Sequence, residues 1–166
     1  MIYRQEIPQD IDSVQRVNNA AFERSNESAI ITGLREAGAV TLSMVAEKEG
    51  QIVGNAIFSP ATLENSKRSR QVVAMGPVAV HPDVQRSGVG TGLIQAALEC
   101  LREQEHRIAV VLGHASYYPR FGFEPSVKYR IRSQWDVPDE VFMALALVDG
   151  ALDHAHGTVK YHAAFG

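Results

Sequence analysis

A chain of 166 residues, 45% of them hydrophobic and 21% charged, is long enough to bury one core without disulfide or metal staples. Its 16 Lys and Arg against 19 Asp and Glu leave a net charge of −3, which provides no basic field for a nucleic-acid partner. The single cysteine, Cys100, excludes an internal disulfide and fits a reducing compartment.

No apolar run nears the roughly 20 residues that span a bilayer, and Met1–Glu6 lacks the apolar stretch of a secretory leader. No repeat, low-complexity tract or linker divides residues 1–166. These features predict one soluble domain, cytoplasmic, with no membrane partner. The six histidines lack ligand spacing, His154-x-His156 included, so no metal is expected.

In chain order, residues 2–7 read as a strand ended by Pro8. Asp10 is placed to cap a helix reaching Phe22, with Ile11, Val14, Val17, Ala21 and Phe22 on one face. A second helix starts at Asn26 or Ser28 and stops near Gly38. Strands at 41–47 and 51–59 flank the turn Glu49-Gly50. The basic stretch 64–70 reads as a solvated hairpin tip. A β-prone run over 71–80, a helical stripe over 88–104 that includes Cys100, and an apolar run at 108–112 make a βαβ crossover, which places its two strands parallel. Further strands are expected at 127–132, 141–147 and 158–162. The class is α/β (α+β): a single mixed central sheet of about six to seven strands with flanking helices.

Two features inside this frame carry chemistry. Gly76-Pro77 interrupts the 71–80 strand, and proline cannot donate to a ladder. The dipeptide either bulges the strand, splaying it from 108–112, or separates two short strands. Downstream, a strand ends at Pro82, a polar turn follows, and Gly88, Gly90 and Gly92 open a helix. Unpaired amides at a helix start, under a positive dipole end, form a cradle for a diphosphate, and Arg86 adds a charge beside it. Leu93-Ile94 stands where a nucleotide P-loop needs Lys-Ser or Lys-Thr, and the glycine spacing does not fit a dinucleotide fingerprint.

Gln85-Arg86-Ser87-Gly88-Val89-Gly90 resembles the Gln/Arg-x-x-Gly-x-Gly/Ala signature of the GNAT acetyltransferases, and Val78, Val80 and Pro82 match the strand end that precedes it. Tyr118, Gly122 and Phe123 match the family's Tyr-x-x-x-Gly-Phe; the family's usual Asn before that tyrosine is absent here, His114 and Ser116 being the nearest polar residues. The resemblance covers about residues 71–125 and suggests a small bacterial branch. It implies a GNAT-like fold with splayed central parallel strands and acetyl-CoA as cosubstrate. Backbone from Val78, Ala79, Val80, Gln85, Arg86, Ser87, Gly88, Val89, Gly90 and Thr91 would hold the cofactor.

The implied reaction is acetyl transfer to an amine, a small molecule or a peptide, by direct attack on the thioester. A free N–H near Val78 or Val80 would face the carbonyl oxygen, and Tyr118 would be the proton donor, with Tyr117 as the neighbour able to replace it. Glu23, Glu27, Glu47, His81 and His114 are candidate bases. The acceptor side is expected from residues 23–28 and 133–140. Open alternatives are a non-catalytic acyl-CoA sensor of the same fold and a nucleotide-binding protein using the same loop. A homodimer is compatible with either.

Overall fold

The computed structural model describes residues 1–22 and 25–166. Its elements are β1 (Ile2–Gln5), α1 (Ile11–Ala21), α2 (Asn26–Glu36), β2 (Leu42–Lys48), β3 (Gln51–Glu64), β4 (Ser69–Val80), α3 (Val89–Glu103), β5 (Ile108–Leu112), β6 (Glu124–Pro125), β7 (Ile131–Ser133), β8 (Phe142–Ala146) and β9 (Gly157–Lys160). One nine-stranded sheet runs β1-β2-β3-β4-β5-β8-β6, with β9 paired to both β3 and β7. Among the described residues, only β4–β5 and β7–β9 are parallel. The mixed α/β class follows the sequence reading, but the strand count exceeds it. β6 is two residues long, too short to show a period of two, and the strand expected at 127–132 is confined to β7 because Ser126–Tyr129 form a 3-10 turn instead.

Alternation along the central strands sorts side chains into two layers. Phe58, Val73, Met75, Ala109 and Val111 face the stripe Leu93, Ile94, Ala97, Leu98 and Leu101 of α3. Cys100 packs beside this layer, as its helical position predicts. On the opposite face, Ile57 meets Ile31 and Leu34 of α2. There too Asn18 of α1 donates to Asn55 of β3 at 3.4 Å. Val72, Val110, Phe142 and Val159 fill the remainder of that face.

Asp10 departs from its expected role as a helix cap. Its side chain caps no α1 amide; it accepts from Ile7 N–H at 2.9 Å and from Arg4 at 2.7 and 3.1 Å. The Arg4 guanidinium therefore holds that carboxyl below the usual aspartate range.

The basic stretch does form a hairpin tip between β3 and β4, folded around Asn65, whose Oδ1 accepts from the amides of Lys67 and Arg68 at 2.9 and 3.1 Å. β3 outruns β2, and β9 occupies the freed edge through Leu63↔Val159. That junction needs Gly157: with φ +144°, a Cβ there would stand 2.3 Å from the Glu64 carbonyl oxygen. Gly157→Ala is expected to lower the unfolding free energy by at least about 1–3 kcal/mol, the usual cost of overpacking. Urea denaturation measures this; an unchanged midpoint would mean that β9 re-registers freely.

Candidate active site

The site begins where two parallel strands part. β4 pairs with β5 only through Val73↔Ala109, Ala74↔Val110 and Met75↔Val111. Beyond Met75 the partner of β4 is β3 alone, and the register slips there: Phe58 faces Met75 but Ala56 faces Val78. The extra residue is a bulge at Gly76-Pro77, the first of the two alternatives read from the sequence. Past the bulge, His81 N–H donates to Val53 O at 2.8 Å. Antiparallel alternation then turns the amide and carbonyl of Ala79 toward β3, and those of Val78 and Val80 away from it, into the opening. The side-chain amide of Gln85 confirms that direction by donating to the Val80 carbonyl at 2.9 Å.

The glycine-rich turn lies at the end of this opening. Gly88 precedes α3 in the left-handed region at φ +88°, and Arg86 also has positive φ, at +62°. The first amide of the turn to close onto the helix is that of Gly92, which donates to Gly88 O at 3.0 Å. Among the described residues, no carbonyl accepts from the amides of Arg86, Ser87, Gly88, Val89, Gly90 or Thr91. Six donors thus stand together at the positive end of a 15-residue helix. The Val89 side chain is buried in the core, and the Ser87 hydroxyl is engaged with Val84 O, so the presenting groups are main-chain amides and the exposed Arg86.

Two tyrosines divide the work below the turn. Tyr117 turns toward α3: its hydroxyl lies 3.3 Å from Thr91 Oγ1, and Arg120 covers its ring at 4.3 Å. Tyr118 turns the other way and lines a cleft of ≈ 530 Å³ bounded by Met75, Gly76, Pro77 and Val78 on one side and Val111, Leu112 and Gly113 on the other. The ring fits because residue 113 lacks a side chain; a Cβ there would lie 2.5 Å from Tyr118 Cε2. Burial, reinforced by Tyr117, pushes the Tyr118 phenol up to about 12. It is a neutral hydrogen-bond donor throughout the physiological range.

The sequence family described as the acetyltransferase (GNAT) domain matches residues 3–126. The chain belongs to the GNAT family. Over 166 residues it is 34% identical to the uncharacterized N-acetyltransferase YhbS of Escherichia coli strain K12, covering 99% of this chain and 98% of that one. The crystal structure of E. coli YhbS in complex with CoA superposes with a TM-score of 0.92 at 33% identity, over 99% of this chain and 91% of that one. A GNAT-family acetyltransferase from Brucella melitensis in complex with acetyl-CoA gives a TM-score of 0.82 at 36% identity, over 99% and 97%.

Within this GNAT domain the candidate bases separate. Glu27 and His114 line the cleft. Glu47 is paired with Arg4 on another face, and His81 caps the turn after β4 by accepting from Asp83 N–H at 3.2 Å. Glu23 lies outside the described residues. Of the expected acceptor segments, Glu27 and Trp135 reach the cleft, while Asp136 and Asp139 line a separate cavity. Sequence reasoning missed Gly113 and Phe165; a glycine ending an apolar run at 108–112 was the available signal for the first. Among the described residues, no group of His, Cys, Asp or Glu is arranged to hold a metal ion, and no helix is long and apolar enough to cross a membrane.

Because the native phenol resists ionisation, Tyr118 should stabilise the fold below the ordinary value of 10.0, and that stability should be lost as pH rises toward about 12. Comparing phenolate absorbance of the wild type with Tyr118→Phe checks this. A missing tyrosine that titrates near 10.0 would contradict the burial.

Proposed function

We propose that this protein is an acetyl-CoA-dependent N-acetyltransferase in which a primary amine attacks the thioester directly. The observation that carries the reading is the continuity of unpaired amides at residues 86–91 with the β4–β5 opening that ends at Tyr118. A diphosphate needs donors at one point, and a peptide-like arm needs free main-chain groups beyond it. Both are present in line. The CoA and acetyl-CoA complexes of the two similar structures support the same ligand. Acetyl-CoA would supply an acetyl group activated as a thioester.

The chain's own groups then have distinct tasks. The amides from Arg86 to Thr91, with the Arg86 side chain beside them, grip the diphosphate, while Gln85, expected among them, is engaged with the Pro82 and Val80 carbonyls. Ala79 keeps β4 stitched to β3, so that Val78 and Val80 hold their N–H groups toward the opening. One of these faces the acyl oxygen and orients it for attack. As the C–N bond forms and the C–S bond breaks, Tyr118 Oη gives its proton to the departing sulfur, and the proton shed by the amine nitrogen returns to the phenol through water. The burial that raises this phenol also raises the proton affinity of a sulfur in the same cleft, which keeps donor and acceptor within transfer range. Tyr117, directed to Thr91, braces the loop instead.

Tyr118→Phe is expected to lower kcat by about 10²–10⁴, the usual contribution of a placed acid, with calorimetric binding of coenzyme A unchanged. Turnover that is indifferent to the substitution at every pH would remove Tyr118 from this role. In the wild type, heat from coenzyme A but no amine-dependent release of its thiol would favour an acyl-CoA sensor. Binding of ADP without coenzyme A would sink the reading.

A further inference from the structure

The far end of the cleft differs in chemistry from the strand opening. Its walls are Ile30 and the aromatic rings of Phe22, Trp135, Tyr161 and Phe165. Tyr161 lies 4.8 Å from the Trp135 ring and 5.1 Å, edge-on, from Phe165. Two polar atoms face this apolar enclosure without a hydrogen-bond partner among the described residues: Glu27 Oε2 and the Tyr161 hydroxyl, both buried. An unpaired buried carboxylate oxygen is costly unless a cation or donor completes it. Among the described residues that line the cleft there is no Lys or Arg, and Glu27 is the one carboxylate, with His114 near the strand end.

We propose that this end is the acceptor subsite, selective for a primary amine with a single positive charge on an apolar, alkyl or arylalkyl stem, whose ammonium is received by Glu27. The inference rests on the acetyltransferase reading and adds the acceptor class to it. The aromatic walls suit the stem and attract a cation over their faces. Glu27 and the Tyr161 hydroxyl accept the N–H groups. Burial lifts the Tyr161 phenol far above its ordinary value, so this hydroxyl stays neutral. A carboxylate next to the amine would meet the like charge of Glu27. A second ammonium, or a ring of hydroxyls, would be desolvated against carbon.

The test uses the full chain with acetyl-CoA and follows release of the coenzyme A thiol. The probes are 2-phenylethylamine, phenylalanine and spermidine. Phenylethylamine is expected to exceed each of the others in kcat/KM by at least about tenfold, the penalty for one unpaired buried charge. Glu27→Gln should raise KM for phenylethylamine about tenfold or more, with coenzyme A binding unchanged by calorimetry. Tyr161→Phe, which keeps the ring, should raise it less, and provides the measure if Glu27→Gln fails to fold. Preference for phenylalanine or spermidine, or an unchanged KM in both variants, overturns the subsite while coenzyme A binding persists. Loss of coenzyme A binding by the wild type itself would overturn the acetyltransferase reading instead.

Discussion

The divergence of β4 from β5 is the constraint on which the remaining architecture depends. Two parallel strands in a sheet interior ordinarily satisfy each other's main-chain groups, leaving nothing for a ligand. Here the ladder stops at Met75↔Val111, and one surplus residue at Gly76-Pro77 re-aims the chain. β3 continues to hold β4 on its other side, so the strand is kept extended rather than released as a loop. An open edge in the middle of a sheet is thereby made rigid.

Small residues set the distances around that edge. At Gly92 a Cβ would fall 2.2 Å from the Tyr3 hydroxyl, so the third glycine of the turn lets β1 approach α3. At Gly90 it would lie 3.1 Å from the Tyr117 hydroxyl, and at Gly113 it would strike the Tyr118 ring. A run of glycines that reads as a single motif thus has separate duties. Gly88 supplies a backbone turn, Gly90 admits a tyrosine hydroxyl, and Gly92 seats a helix on a strand.

The middle of the chain was legible because local signals agree there. The strand at 71–80, its interruption, the glycine turn and the amphipathic helix each state their structure over a few residues. The fold ends the strand at Val80 and starts the helix at Val89, close to the positions read. Legibility failed where long-range contacts decide. Asp10 has the residue type and position of a cap, yet the nearby guanidinium of Arg4 claims it. β6 is held only by its pairing with β8, and the strand read at 127–132 survives only where β9 pairs with it, at Ile131–Ser133. Glu27 and Glu47 look alike in sequence. One reaches the cleft and the other an arginine, a distinction that depends on how the helices lie on the sheet.

The cleft is assembled from two stretches of unequal standing. The glycine turn, the strand opening and Tyr118 fall within residues 3–126, the stretch shared with the family at large. Trp135, Tyr161 and Phe165 lie after it, brought back by the β9 strand clasped to the far end of β3. The aromatic wall of the cleft thus hangs on the hold of β9 on β3, whereas the Glu27 carboxylate stands in the same stretch as the amide turn, so loosening that clasp would strip the wall and leave the charge in place.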